Sequence, residues 1–151
     1  MNANRTLVHT RWFSAYGAGS RERISATILG HLIWPLRYLV VTSLKRTLKN
    51  YLWSHGIGRH TEEELYGIAE RDLLAVSEIL GEKKFLFGDK PCLADAAVFA
   101  FVAACAWDMP ESPIAEVTRS KAKNLDKHAR RMKELYYPDW DEIISGKPKS
   151  E

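Results

Sequence analysis

The sequence lacks any apolar run long enough to cross a membrane. The one stretch that could be mistaken for a membrane span, Ile24 to Val41, contains His31, Pro35 and Arg37, whereas a spanning helix needs about 20 apolar residues. We expect a short buried helix, a bend at the proline and a second helix there. A less favoured hypothesis is a protein that contacts a membrane surface through Ile24 to Val41 and the basic helix from Leu36 to Ser54. Residues 1–13 are polar and lack the apolar core of a signal peptide.

The chain also has few cysteines and a small net charge. The two cysteines, Cys92 and Cys105, lie in one predicted helix and are too far apart along its axis to bond each other. We therefore predict reduced thiols and a cytoplasmic location. A net charge of +3 over 151 residues is too small to indicate nucleic-acid binding.

The chain has five histidines, the side chain that most commonly ligates a metal. His55 and His60 flank a glycine hinge, but a zinc site would need a further Cys or His nearby, so we predict no metal. His128 lies among Lys127, Arg130 and Arg131, which predicts a solvated face. A Gly-rich phosphate loop, a nucleophile elbow and carboxylates paired at catalytic spacing are all missing.

No segment alternates apolar and polar residues as a strand does, so the sequence predicts an all-α helical bundle of about six helices. Apolar residues at helical spacing place helices over residues 4–15, 20–33, 36–54, 61–80, 93–107, 112–120 and 124–136. The helix from Leu93 to Trp107 carries no charge after Asp95. We predict that this helix is buried at the centre, with the others packed round it.

Two helix starts carry capping signals. Thr61 and Glu64 have the spacing of a capping box, in which each side chain accepts the other residue's backbone N–H. Cys92 and Asp95 have the same spacing, but a thiol is a weak acceptor, so only the Asp95 half is secure. A buried carboxylate can also serve as a general base; here capping alone accounts for Asp95, and we predict no catalytic residue.

The run from Phe85 to Phe99, F-L-F-G-D-K-P-x-x-A-D-A-x-x-F, resembles the core of the glutathione S-transferase C-terminal helical domain. That family has a Ser/Thr-x-x-Asp box at the start of its central helix. The stretch His55 to Glu64, together with Asn124-Leu125 and Tyr136 to Trp140, is similar to the branch that holds metaxins and failed axon connections proteins. The resemblance covers residues 36–140.

The resemblance implies a partner and a cleft. In glutathione S-transferases the first helix of this domain faces an N-terminal thioredoxin-like domain and lines the substrate pocket, so Arg11, Trp12 and Tyr16 form a candidate ligand cleft. The catalytic and most glutathione-binding residues of the family belong to the thioredoxin-like domain. We therefore expect no cofactor in this chain, and glutathione only where such a domain is supplied.

The predicted organisation is one helical domain over residues 1–140, with a truncated first helix, and a polar tail over 141–151. The favoured function is a non-catalytic domain that binds a protein or a ligand. Its partner would be a thioredoxin-like domain or a second copy, through an exposed apolar face near Trp12, Phe13 and Tyr16. The alternative is the C-terminal half of a glutathione-dependent transferase whose other domain lies on a separate or upstream segment.

Overall fold

The computed structural model describes residues 2–145. These residues form helices and no β-strand. The all-α prediction is confirmed. Two 3₁₀ turns, Ala15–Gly17 and Ile57–Arg59, accompany the α-helices. The helices are α1 (Ala3–Phe13), α2 (Ala18–Leu29), α3 (Trp34–Ser54), α4 (Glu62–Leu80), α5 (Leu93–Ala106), α6 (Pro113–Ser120), α7 (Lys123–Tyr136) and α8 (Trp140–Ser145).

The sequence does not predict α8. The segment predicted as a polar tail over 141–151 begins within this helix, and residues 146–151 of that segment lie outside the described part of the chain. Trp140 starts α8 and packs edge-on against Trp107, with ring centroids 5.4 Å apart. Aromatic packing of this kind is worth about 0.5–1.5 kcal/mol beyond the buried area.

The core lies where α1, α4, α5, α6 and α7 meet. Its fully buried side chains include Leu73, Val102, Cys105, Ile114 and Leu125. The N-terminus of α1 is tied to α4 by a hydrogen bond from the Ala3 N–H to Asp72 Oδ2 (2.8 Å). A second, smaller cluster joins the end of α3 to the start of α4.

The prediction of a short buried helix before Pro35 is wrong, and α3 also buries little of its apolar surface. Ser20 is the only buried residue of α2, and Leu52 is the only buried residue of α3. Periodicity places apolar residues on one side of a helix, but no other described helix covers that side of α3. Trp34 is 80% exposed and Leu39 is 64% exposed.

The prediction that α5 is enclosed on every side is also wrong. Its inner side packs against α6 and α7 and buries Phe99, Val102 and Cys105. Its outer side is uncovered within the described residues, and Leu93 is 87% exposed. The apolar composition of α5 therefore exceeds what the described part of the chain can bury.

Candidate functional site

The Asp95 carboxylate is fully buried and joins three parts of the chain. Its Oδ1 accepts the Leu86 backbone N–H (2.8 Å) and lies 2.8 Å from His128 Nε2. Its Oδ2 accepts the Cys92 backbone N–H (2.9 Å) and the Cys92 thiol proton (3.1 Å). One side chain thus holds the loop before α5, the first turn of α5 and the middle of α7.

The prediction that His128 lies on a solvated face is wrong. Its side chain is completely buried, between Asp95 and the ring of Phe85, which it meets edge-on. Because an ionised carboxylate only accepts, His128 Nε2 carries the proton in this bond. The other ring nitrogen, Nδ1, is buried and has no hydrogen-bond partner among the described residues.

The position of His128 could have been found from the sequence. It falls three residues after Leu125 and four before Met132, and all three residues are buried on one side of α7. Its basic neighbours Lys127 and Arg130 point the other way, because residues one and two apart do not share a helix face.

Burial alone would raise the pKa of Asp95, but the hydrogen bonds from Leu86, Cys92 and His128 lower this pKa to about 2. The carboxylate therefore stays ionised at neutral pH, with four donors around its two oxygens. A general base needs a free lone pair near a reacting proton, and a Cys-His catalytic pair needs the thiol against the imidazole. Here the carboxylate separates Cys92 from His128, so the geometry is that of a structural clamp.

The other predicted cap lies on the surface. Thr61 Oγ1 accepts the Glu64 N–H (3.3 Å), and Glu64 Oε2 accepts the Thr61 N–H (2.9 Å). The backbone hydrogen bond from Thr61 and the contact with His60 lower the pKa of Glu64. The side chain of Glu64 is 59% exposed, so this box fixes the start of α4 without burying charge.

The structure gives Arg11, Trp12 and Tyr16 three different environments. Arg11 forms an ion pair with Asp108 (2.9 Å) in the loop after α5. Trp12 lies at a groove between α2 and α3. Tyr16 is 43% exposed and meets Tyr66 of α4 edge-on. The three side chains therefore do not converge on one cavity among the described residues.

Asp108 forms ion pairs with one arginine of α1 and one of α2. Its carboxylate accepts from Arg11, from Ser20 (2.6 Å) and from Arg23. Burial opposes ionisation, but the hydroxyl of Ser20 and the two guanidinium groups together lower the pKa of Asp108. This cluster fixes α2 against the end of α5 and leaves the carboxylate no free role in proton transfer.

The outer side of α5 forms an apolar surface, defined here by Leu93, Ala96, Ala97 and Ala100 and called the α5 face. All four residues are exposed. A groove of about 360 Å³ runs between this face and α1, and its walls include Leu7 and Ala97. The α5 face, as defined by these four residues, contains no charged side chain.

Neither a metal site nor a membrane span is found within residues 2–145. No group of three or more His, Cys, Asp or Glu side chains there could hold an ion. His55 packs on Tyr51 and His60 contacts Glu64, so the hinge histidines have separate neighbours. No described helix combines the length and hydropathy that crossing a bilayer requires.

Comparisons with known proteins match the part of the chain that contains most of the core of this bundle. The family model described as "Glutathione S-transferase, C-terminal domain" matches residues 69–132. Failed axon connections from Drosophila melanogaster is 38% identical over 96 residues, which is 62% of this chain and 23% of that protein. Human metaxin-1 is 36% identical over 80 residues, covering 53% of this chain and 17% of that protein.

Mouse metaxin-1 aligns over more of the chain: 35% identity over 147 residues, which is 91% of this chain and 45% of that protein. The chain thus spans less than half the length of each of these relatives. No solved structure matches it with significance. The matched core contains the Asp95–His128 clamp, and together these matches support a glutathione S-transferase C-terminal-like domain in this chain, similar to metaxin-1 and Failed axon connections.

Proposed function

We propose that this chain acts without catalysis, as a helical domain that binds a partner through the α5 face. The observation that carries the proposal is the exposure of that face on the most apolar helix of the chain, where Leu93 is 87% exposed. Exposed apolar patches of this kind mark protein interaction sites or ligand grooves. The small alanine side chains allow a partner's backbone or side chains to approach closely.

The described ionisable groups support binding rather than catalysis. Asp95 and Asp108 are each held by several hydrogen-bond donors, and their oxygens are occupied by side chains or backbone of this chain. Cys105 is buried, and burial raises the pKa of its thiol far above the usual range, so it is not a nucleophile. The exposed thiol of Cys92 donates to Asp95 and has no histidine beside it to accept its proton.

The partner we propose is a thioredoxin-like domain. The resemblance to glutathione S-transferases implies that α1 faces such a domain, and α1 forms one wall of the groove beside the α5 face. The relatives are more than twice as long as the matched region, which leaves room in them for a further domain. Glutathione would enter only with that domain, and the two unpaired cysteines favour a reducing, cytoplasmic setting.

The test is a titration with the part of mouse metaxin-1 that the 147-residue match leaves uncovered, expressed as a separate chain. We expect a complex in sedimentation velocity. Ala100→Glu, which places a charge in the α5 face, should weaken it at least tenfold, as expected for a buried interface position. The matched control is Ala75→Glu on the exposed side of α4, which should leave the affinity unchanged.

Three other outcomes have definite meanings. Self-association of the chain alone that Ala100→Glu abolishes would replace the thioredoxin-like partner with a second copy. Conjugation of glutathione to an aryl halide by the complex, above the uncatalysed rate, would favour the alternative that this chain is the C-terminal half of a transferase. Conjugation by the isolated chain, lost on a mutation within it, would refute the non-catalytic proposal.

A further inference from the structure

A second apolar groove lies between α2 and α3, on a different part of the surface from the α5 face. Its volume is about 370 Å³, at the lower end of the range for small-molecule sites. The helices α2 and α3 form a helical hairpin, and we call the cavity between them the hairpin groove. Its apolar walls are formed by Trp12, Ile24, Ile28, Val40, Val41 and Leu44.

The chain itself does not fill the hairpin groove. Ile28 is 60% exposed and Leu44 is 38% exposed, although both face the groove. Of the whole helical hairpin, only Ser20 and Leu52 are buried, and neither lines the groove. Two apolar helix sides thus face each other across unfilled space, which a ligand could occupy with a gain from burying apolar surface.

The charges round the groove are predominantly positive. Arg21, Arg37 and Lys45 line it, with Glu22 as the one acid. None of these three cations forms an ion pair within the described residues, whereas Arg11, Arg23 and Arg119 do. Residues 23–61, which include all of α3, contain six Lys or Arg and no Asp or Glu.

Two of these cations are held in place by uncharged groups. Arg37 Nε donates to Ser25 Oγ (2.9 Å), which ties α3 to α2. Arg21 Nη1 donates to the carbonyl oxygens of Arg11 (2.8 Å) and Ser14 (2.9 Å). Their positive charges are fixed at the groove without being neutralised, and a bound anion would complete the site.

We propose that the hairpin groove binds a single-chain anionic amphiphile, a medium-chain fatty acid. Its acyl chain lies against the apolar walls and its carboxylate lies among Arg21, Arg37 and Lys45. The concave shape and small volume suit one acyl chain rather than a two-chain lipid. The planar guanidinium of Arg37 suits a carboxylate, which it can bind through two parallel N–H groups.

The first experiment compares dodecanoate, dodecanol and dodecyltrimethylammonium by calorimetric titration of the full chain below their aggregation concentrations. We expect dodecanoate to bind best and the cationic amphiphile worst. Decanoate should bind about tenfold more weakly than dodecanoate, because each buried methylene contributes a few-fold in affinity. Equal binding of all three headgroups, or no dependence on chain length, would overturn the proposal.

The second experiment uses matched variants of α3. Arg37→Gln should lower the affinity for dodecanoate about threefold, as for a partly exposed charge pair, and leave that for dodecanol unchanged. Arg46→Gln removes the same charge from a residue that follows Lys45 but does not line the groove, and it should change neither affinity. An equal loss in the two variants would mean that only overall charge matters, which contradicts a site.

The third experiment fills the groove and tests a membrane as the alternative occupant. Val41→Phe should abolish dodecanoate binding while the far-ultraviolet circular dichroism spectrum stays helical. Sedimentation with vesicles of phosphatidylserine and phosphatidylcholine distinguishes the lipid surface from the free fatty acid. Binding to these vesicles that Val41→Phe leaves intact, without dodecanoate binding by the unmodified chain, would replace the groove with a membrane-facing hairpin.

Discussion

Replacing Asp95 with alanine should be among the most damaging single changes in this protein. The substitution leaves the Leu86 N–H and the His128 Nε2–H without an acceptor, and both residues are buried. A buried unsatisfied donor costs about 1–3 kcal/mol. Loss of the cap on Cys92 adds about 1 kcal/mol. The expected loss in the free energy of unfolding is about 3–7 kcal/mol.

That loss is larger than capping alone would predict, and the difference is the contribution of tertiary contacts. A domain of this size has about 5–15 kcal/mol of stability in total, so Asp95→Ala should lower the urea midpoint strongly while leaving the slope unchanged. The matched control is Glu64→Ala, which removes the acid at the same position of the exposed capping box and should have a much smaller effect.

The same clamp predicts the acid sensitivity of the fold. The folded pKa of Asp95 is about 2, below its ordinary value of 3.8, so its ionised form stabilises the native state by about 2 kcal/mol. This contribution is complete above about pH 4 and is lost as the pH falls towards 2. In Asp95→Ala, that part of the pH dependence should disappear.

The reasoning would be refuted by either of two results. One is a loss below about 1 kcal/mol for Asp95→Ala, which would mean that its donors find other partners. The other is an unchanged acid transition between pH 4 and 2 in the variant. A double-mutant cycle with His128→Gln should show coupling of at least about 0.5 kcal/mol, because the two side chains are in direct contact.

The remaining predictions concern caps and close contacts and are all measured by urea titration. Cys92→Thr should stabilise the protein by about 0.3–1 kcal/mol, because the exposed position admits a hydroxyl, which accepts an N–H better than a thiol does; a lowered midpoint would contradict this. Thr61→Ala should cost about 1 kcal/mol, and no change would mean that the box is not formed in solution. Gly17→Ala should cost at least about 2 kcal/mol, because a Cβ there would lie 2.1 Å from the Arg11 carbonyl oxygen. Gly67→Ala, with open space round the added methyl group, should instead stabilise α4 by about 0.5–1 kcal/mol; equal effects of the two glycine changes would refute the structural argument.

Local sequence signals were enough to predict the helical class and several helix starts. Pro113 falls at the start of α6, Thr61 immediately precedes α4, and Gly81 ends α4 with a φ of 54°. These features act within one turn of a helix, so the residues that cause them are neighbours in the sequence. The resemblance to the glutathione S-transferase C-terminal domain also rests on contiguous residues, chiefly Phe85 to Phe99.

Contacts between distant segments could not be predicted in this way. The pattern of α7 places His128 on the side of Leu125, but only packing against α5 brings it within 2.8 Å of Asp95, 33 residues away. The sequence predicts that Asp95 caps the start of α5. It does not predict that His128, on another helix, contacts this carboxylate. The role of this carboxylate in joining three segments was therefore decided by tertiary structure.

Exposure was likewise decided by the assembly of the helices. Leu36 and Leu39 recur at helical spacing as buried residues do, yet both are exposed in the described part of the chain. Leu93 belongs to an apolar helix whose outer side is uncovered. The sequence determined which residues share a helix face, through the 3.6-residue period, and only the tertiary arrangement decided what each face contacts, because that depends on residues far away in the chain.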